Sequence, residues 1–305
     1  MRILVTGASG FIGGAVVRAA VRSGHTVGVL VRPQSSLRLG DVAQDVQIVP
    51  TDGIPGTALA RALGRFAPHA IVHAGWFGVA GPDRLGAQVS ENVPWSLGIA
   101  DAARELGCSV LLGFGSQAEY GPQNRVLNED ALPAPMTLYG ATKLAVYRAT
   151  DAVLESSGVR FLWLRVFSSY GPGDHMTVLP YVIRALLAGQ RPALTPCEQR
   201  WDFVHVDDVA EAAIAALETE SARGVFNVGS GEAPVLRDVL EWLRDQIDPT
   251  LPLGFGERPY APRQIMLLQA DIGRIVAAVG WKPRRLLNGG LQELIRLERE
   301  RAVSL

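Results

Sequence analysis

The sequence predicts a doubly wound, parallel α/β sheet of the Rossmann kind with a smaller, interleaved C-terminal α/β lobe, and three observations predict it. Short apolar runs alternate with helix-like runs through the first half of the chain. The first of these runs, Arg2 to Thr6, leads straight into the glycine turn Gly7-Ala8-Ser9-Gly10-Phe11-Ile12-Gly13. From Ser168 onward the alternation gives way to a mixed pattern, with no linker and no internal repeat.

After the first strand and its glycine turn, an Ala/Val-rich helix runs to about Arg22. Strand, glycine turn and helix in this order make the setting of a dinucleotide loop. Gly7 permits the tight turn, Gly10 lets backbone approach a pyrophosphate, and Gly13 allows close helix–strand packing. The helix start, with Phe11 and Ile12, offers N–H groups and a positive dipole end to phosphates. A turn at Gly24-His25 leads into a second strand, Thr26 to Val31. An acidic residue at the end of this strand would accept from a ribose 2′-hydroxyl; here the run is Val31-Arg32-Pro33, with no acid. Arg32 suits a 2′-phosphate, so NADP(H) is favoured and NAD(H) is the alternative.

Val46 to Val49 forms a third strand, followed by Asp52 and Gly53, where cofactor contacts, with the adenine at Asp52, are expected. Ala70 to Ala74 forms a fourth, whose small residues Ala74 and Gly75 admit a cofactor ring. A helix runs from Asn92 to about Leu106, and Val110 to Phe114 is a fifth strand delivering Gly115-Ser116. Tyr139 to Lys143 opens a helix reaching Glu155, and Val159 to Val166 is a sixth strand. Beyond it come the loop Tyr170 to Asp174, a helix Val178 to Ala188, and a loop-like Arg191 to Arg200. Trp201 to Asp208 reads as a strand entering a helix Val209 to Leu217, and Val225 to Val228 as a short strand. Helices over Val235 to Ile247, Ala270 to Val279 and Gly289 to Arg301 finish the chain. The expected division is a dinucleotide-binding domain over 1–167, completed by about 201–230, with 168–200 and 231–305 as the second lobe.

Composition narrows the function classes. The 305 residues carry a net charge of −1 without a basic run, against nucleic acid as a partner. No window of eighteen uninterrupted apolar residues appears, against a membrane span. The N-terminal apolar run is too short for a secretory signal. Cys108 and Cys197 fit no metal spacing and are expected as buried free thiols in a reducing, cytoplasmic setting. No His/Asp/Glu cluster has metal-site spacing, so no metal is expected.

The chemistry concentrates at Tyr139-Gly140-Ala141-Thr142-Lys143. Positions i and i+4 share a helix face, which turns the phenol and the ammonium the same way. A nearby cation favours the phenolate. Bringing a phenol from about 10 to about 7 takes about 4 kcal/mol of differential stabilisation. Such a phenol can exchange a proton with a hydroxyl at neutral pH. Lys143 and Lys282 are the only lysines, against 27 arginines, so a lysine here is a marked choice.

With Gly7, Gly10, Gly13, Ser116, Tyr139 and Lys143 on the page, the chain closely resembles the extended short-chain dehydrogenase/reductases. These are the nucleotide-sugar epimerases, dehydratases and ketoreductases. Asn92-Val93, Tyr120-Gly121, the run from Arg165-Val166-Phe167 to Gly173, the run Asp202 to Asp208 and Phe226 to Gly229 extend the resemblance over essentially the whole chain. It implies that Ser116 hydrogen-bonds the substrate oxygen, Tyr139 is the general acid/base, and Lys143 binds the nicotinamide ribose and lowers the Tyr139 pKa. It implies further cofactor contacts at Asn92 and Val166. Substrate contacts are implied at Gln117, Ser168 and His205, with Arg200 as a diphosphate ligand. Trp76, in the stretch Gly75 to Gly86, either lines the sugar pocket or belongs to a packed loop. The family's dehydratases follow the serine with Asp-Glu; here stand Gln117-Ala118. Its 4-epimerases often have Asn and Arg where Ser168 and Trp201 stand. These departures imply an NADPH-dependent reductase of a nucleotide-linked 4-keto-6-deoxyhexose. An NAD-dependent 4-epimerase is the first alternative, and a non-catalytic NADP-binding sensor or scaffold the second. Relatives commonly pair through the helices Pro94 to Leu106 and Leu144 to Glu155, so a homodimer is expected.

Overall fold

The computed structural model describes residues 1–31, 39–51, 57–79, 84 and 86–303. In chain order its elements are β1 (Arg2–Thr6), α1 (Phe11–Arg22), β2 (Thr26–Val31), β3 (Val46–Pro50), α2 (Thr57–Gly64), β4 (Ala70–His73), α3 (Gln88–Glu105) and β5 (Val110–Ser116). Then come β6 (Val126–Leu127), α4 (Leu138–Leu154), β7 (Arg160–Val166), β8 (Ser168–Tyr170), α5 (Val178–Leu187), β9 (Arg200–Trp201) and β10 (Phe203–His205). The chain ends with α6 (Val206–Glu218), β11 (Gly224–Val228), α7 (Leu236–Ile247), β12 (Leu267–Ala270), α8 (Gly273–Val279) and α9 (Leu287–Val303).

Seven strands make one parallel sheet in the order β11-β7-β5-β4-β1-β2-β3. The buried runs Leu4-Val5, Ile71-Val72 and Leu111-Leu112 are apolar without alternation, because helices cover both faces. One apolar layer lies under α1 and α6, the other under α2, α3 and α4. Strand order reverses between β1 and β4, the switch point at which ligands of such sheets bind. β1, β4 and β5 therefore deliver Gly7, Gly75 and Ser116 to one edge. The remaining lobe packs α5, α7 and α9 around Leu179, Leu240 and Leu291. Two small parallel sheets, β10-β8 and β6-β12-β9, tie it to the main body.

Differences from the sequence reading have physical reasons. α3 begins at Gln88, not Asn92, so Pro94 stands inside the helix instead of in its first turn. Ala270 ends a strand and the helix read from there starts at Gly273, because the Ala270 N–H is bound by Asp202. β6 and β9 are two residues long and carry no readable period. Among the described residues no helix is long and apolar enough to cross a membrane. None of their His, Cys, Asp and Glu side chains gather as a metal site. Cys108 and Cys197 are buried free thiols.

Candidate active site

The nucleotide side of the site is built where β1 and β4 end. Gly7 has φ +70°, and a Cβ on it would lie 2.6 Å from the Gly75 nitrogen. Only glycine permits both the turn and this approach. The Gly75 N–H donates to Thr6 Oγ1 at 3.1 Å, and the same hydroxyl is hydrogen-bonded to His73 Nδ1 at 2.8 Å. On its other side His73 Nε2 is hydrogen-bonded to Ser96 Oγ at 3.0 Å. Burial first, and the Lys143 charge second, push His73 down to about 3, so the ring is neutral. α1 starts at Phe11 with Gly10 as N-cap and no side chain capping it, leaving its first-turn donors to a phosphate. Beside Phe11 runs the loop after β8: a Cβ on Gly173 would stand 3.5 Å from that ring. Arg32, Asp52 and Gly53 lie outside the described residues.

The chemical side is built from β5 and α4. Ser116 ends β5 and caps a 3-10 turn over Gln117–Glu119; its hydroxyl accepts from the Ala118 N–H at 3.2 Å. In return the Glu119 carboxylate accepts from the Ser116 N–H at 2.9 Å. It also accepts from Trp163 Nε1 at 3.0 Å and from Arg165 Nε at 2.8 Å. All four residues are buried. Glu119, one position away from where a dehydratase holds its acid, is thus a brace behind Ser116. Thr137 caps α4 by accepting from the Gly140 N–H at 3.1 Å. A Cβ on Gly140 would sit 2.4 Å from the Ala118 carbonyl oxygen, so glycine lets the helix start rest on the 3-10 turn. This contact brings the Tyr139 phenol beside Ser116, whose side chain lowers its pKa.

One turn on, Lys143 is buried, and its Nζ donates to the Phe114 carbonyl at 2.7 Å. The ammonium lies 3.5 Å from the Trp76 ring centroid and 5.8 Å from that of Tyr139. Trp76 meets Tyr139 edge to face at 6.2 Å. The expectation that Lys143 makes Tyr139 acidic needs correction in this arrangement. Burial raises the phenol above its ordinary value, against lowering by Arg84 and by the Ser116 hydrogen bond. Lys143 itself is driven down to about 7 by burial, with Glu119 opposing. The Arg84 guanidinium carbon stands 4.3 Å from the Tyr139 ring centroid. Sequence reasoning missed Arg84, because the sequence around it shows no periodicity to mark it.

The other expected site residues fall into two groups. Val166 is paired in register with Ser116, and Trp76 touches Tyr139 and Lys143 directly. Asn92 and Gln88 lace the loop after β4: the Phe77 N–H donates to Asn92 Oδ1 at 2.7 Å, and Trp76 Nε1 donates to Gln88 Oε1 at 2.9 Å. Gln117 follows Ser116 with its amide oxygen buried and without a partner. Ser168 and Trp201, two separate departures in sequence, touch each other: Trp201 Nε1 donates to Ser168 Oγ. Arg200 is exposed at the start of β9, with Nε donating to the Ala233 carbonyl at 3.0 Å. His205 is the buried N-cap of α6, in contact with Tyr170, Asp207 and Glu293; none of these belongs to the group around Tyr139.

Comparison with known proteins follows the same lines. The chain is 25% identical over 304 residues to a UDP-glucose 4-epimerase of Corynebacterium glutamicum, covering 93% of this chain and 91% of the relative. It is 31% identical over 299 residues to a 3-diazoavenalumate denitrifying reductase of a Streptomyces species, covering 93% and 96%. Among solved structures, MoeE5 in complex with UDP-glucuronic acid and NAD superposes with a TM-score of 0.86 at 25% identity, covering 99% of this chain and 100% of that one. Residues 3–229 match the NAD dependent epimerase/dehydratase family. The chain belongs to that family and is an NAD(P)-dependent oxidoreductase of the extended short-chain type.

Proposed function

We propose that this enzyme reduces a nucleotide-linked 4-keto-6-deoxy sugar with NADPH. The observation that carries the chemistry is the Ser116 side chain standing by the Tyr139 phenol at the end of β5. The residues present fit a nicotinamide dinucleotide. The Gly7 turn packs on the Ala74-Gly75 backbone where a Cβ would clash, the α1 start is uncapped by side chains, and Lys143 lies one helical turn from Tyr139. When bound, such a cofactor supplies the hydride. Gly7, Gly10, Gly13 and the α1 start would hold its diphosphate, Ala74 and Gly75 would border its ring, and Lys143 would reach its ribose.

The chain's own residues do the rest. Ser116 holds the carbonyl oxygen by hydrogen bonding, and Tyr139 gives its proton to that oxygen as negative charge grows on it. Glu119, through the Ser116 N–H, keeps the serine at its post. Trp76 covers the Lys143 ammonium and keeps water from it. Gln117 Oε1, buried and unpartnered, is an acceptor for a sugar hydroxyl. Support for reduction comes from Gln117-Ala118, which supply no carboxylic acid for dehydration, and from the Trp201–Ser168 pair. The similarity to a denitrifying reductase supports net reduction, though that relative is named for a diazo substrate and not for a sugar. The similarity to a UDP-glucose 4-epimerase favours a second reading, in which the same residues oxidise and re-reduce one sugar carbon.

The test is a panel of nucleotide-linked 4-keto sugars offered with NADPH or NADH, followed by absorbance of the reduced cofactor. NADPH is expected to be consumed with one panel member. Tyr139→Phe is expected to lower kcat about 10²–10⁴-fold, the usual share of a positioned acid. NAD that stays bound through gel filtration, with interconversion of UDP-sugars and no net cofactor use, would establish the epimerase instead.

A further inference from the structure

We propose that Arg84 is the positive charge that balances the Tyr139 phenolate when the phenol gives up its proton, the task that the Tyr-x-x-x-Lys spacing assigns to Lys143. The inference rests on Tyr139 being the proton donor, and it holds whether the enzyme reduces or epimerises.

Geometry is the first ground. The Arg84 guanidinium carbon is 4.3 Å from the Tyr139 ring centroid, whereas Lys143 Nζ is 5.8 Å from it. Nζ is also engaged elsewhere, donating to the Phe114 carbonyl under the Trp76 ring. A second ground is the state of the arginine. Among the described residues Arg84 forms no ion pair, and its buried Nε has no hydrogen-bond partner. An arginine held beside a phenol without a carboxylate keeps its full charge for the phenol's oxygen. A third ground is what else faces Tyr139. Ser116 and Trp76 are neutral, and the nearby Glu119 carboxylate is already paired with Arg165. His73, which feels the Lys143 charge, is neutral. Among the charges that act on the phenol, Arg84 gives the largest lowering.

The step balances simply. The Tyr139 O–H bond breaks, its proton passes to the substrate oxygen, and the electron pair stays on the phenol oxygen. Arg84 gives up no proton in this step. Solvent returns the proton to Tyr139 afterwards. Arg84 acts through Tyr139 and is therefore a positioning residue for charge, not a catalytic one.

The test places 3,5-difluorotyrosine at position 139 of the full chain. The ring fluorines lower the phenol's titration into a range where the fold persists, and fluorine-19 NMR reads that one site. Arg84→Gln is expected to raise the titration midpoint by about one pH unit, the usual effect of an opposite charge at this range. Arg84→Lys should stay close to the parent, and Lys143→Met should move the midpoint less than Arg84→Gln does. A midpoint unmoved by Arg84→Gln, or moved further by Lys143→Met, overturns the proposal. Turnover of the unfluorinated chain supplies a second readout: Arg84→Gln is expected to lower kcat about tenfold or more with KM close to the parent. A raised KM with kcat unchanged would make Arg84 a substrate ligand and overturn it. The titration needs no substrate, so a shifted midpoint in a chain that reduces no panel sugar refutes the reductase reading and leaves this one standing.

Discussion

Lys143 is held where an ammonium is costly. Burial brings it from 10.5 to about 7. The folded chain therefore holds that proton only below about 7, while the unfolded chain holds it up to 10.5. Between those values the unfolded state binds more protons, so stability rises with pH across the window. Below it the penalty is complete and amounts to about 5 kcal/mol, at 1.36 kcal/mol per unit. Lys143→Met removes the charge and keeps most of the volume. It is expected to be more stable than the parent near pH 6, with the gap shrinking toward about pH 9. Urea unfolding at both values checks this; a gap that does not shrink would mean that packing, not the ammonium, sets the difference. The lysine was legible in sequence because its spacing from Tyr139 is a local helical relation. Arg84 was not, because its approach to the same ring is tertiary and no local pattern encodes it.

Elements show the same divide. The strands β1, β2 and β11 stand where the apolar runs put them, within a residue, because a sheet covered on both faces needs continuous apolar segments. The function of Glu119 was hidden, since sequence shows a carboxylate near Ser116 but not the Trp163 and Arg165 donors that β7 brings to it. Gly115 belongs to this fit: a Cβ there would stand 2.3 Å from both Glu119 Oε1 and Trp163 Nε1. β5, the 3-10 turn and β7 thus close on one carboxylate. Glu119→Ala would leave a buried arginine without its partner and the Ser116 N–H without an acceptor. The expected loss is about 3–5 kcal/mol of stability. A fall in kcat should go with it at temperatures where the variant remains folded. Chemical denaturation and steady-state kinetics check the pair of effects; a loss under about 1 kcal/mol would show that water replaces the carboxylate and that the brace is dispensable.

At the scale of the whole molecule the question is what the outer faces of α3 and α4 meet. The two helices pack on each other over the layer that contains Ile99, Ala103 and Val146. Outward, α4 presents Ala141, Ala145 and Ala152, all exposed, with Leu144 half-buried beside them; α3 presents exposed Val89 and Pro94. Small side chains spaced by a helical turn let another helix come close. A second copy related by a two-fold axis would set α3 and α4 against their equivalents, an isologous arrangement. We expect a homodimer, and light scattering after gel filtration at about 10 µM should return twice the chain mass. Ala145→Arg, which puts a long cation in the middle of that row, is expected to give a folded monomer. The consequence reaches the chemistry, because α4 carries Tyr139 and Lys143 in its first two turns. A monomeric variant should therefore turn over more slowly than the dimer while keeping its circular dichroism. A parent chain that runs as a monomer would mean that the alanine row faces only water and that α4 is held by α3 and the sheet alone.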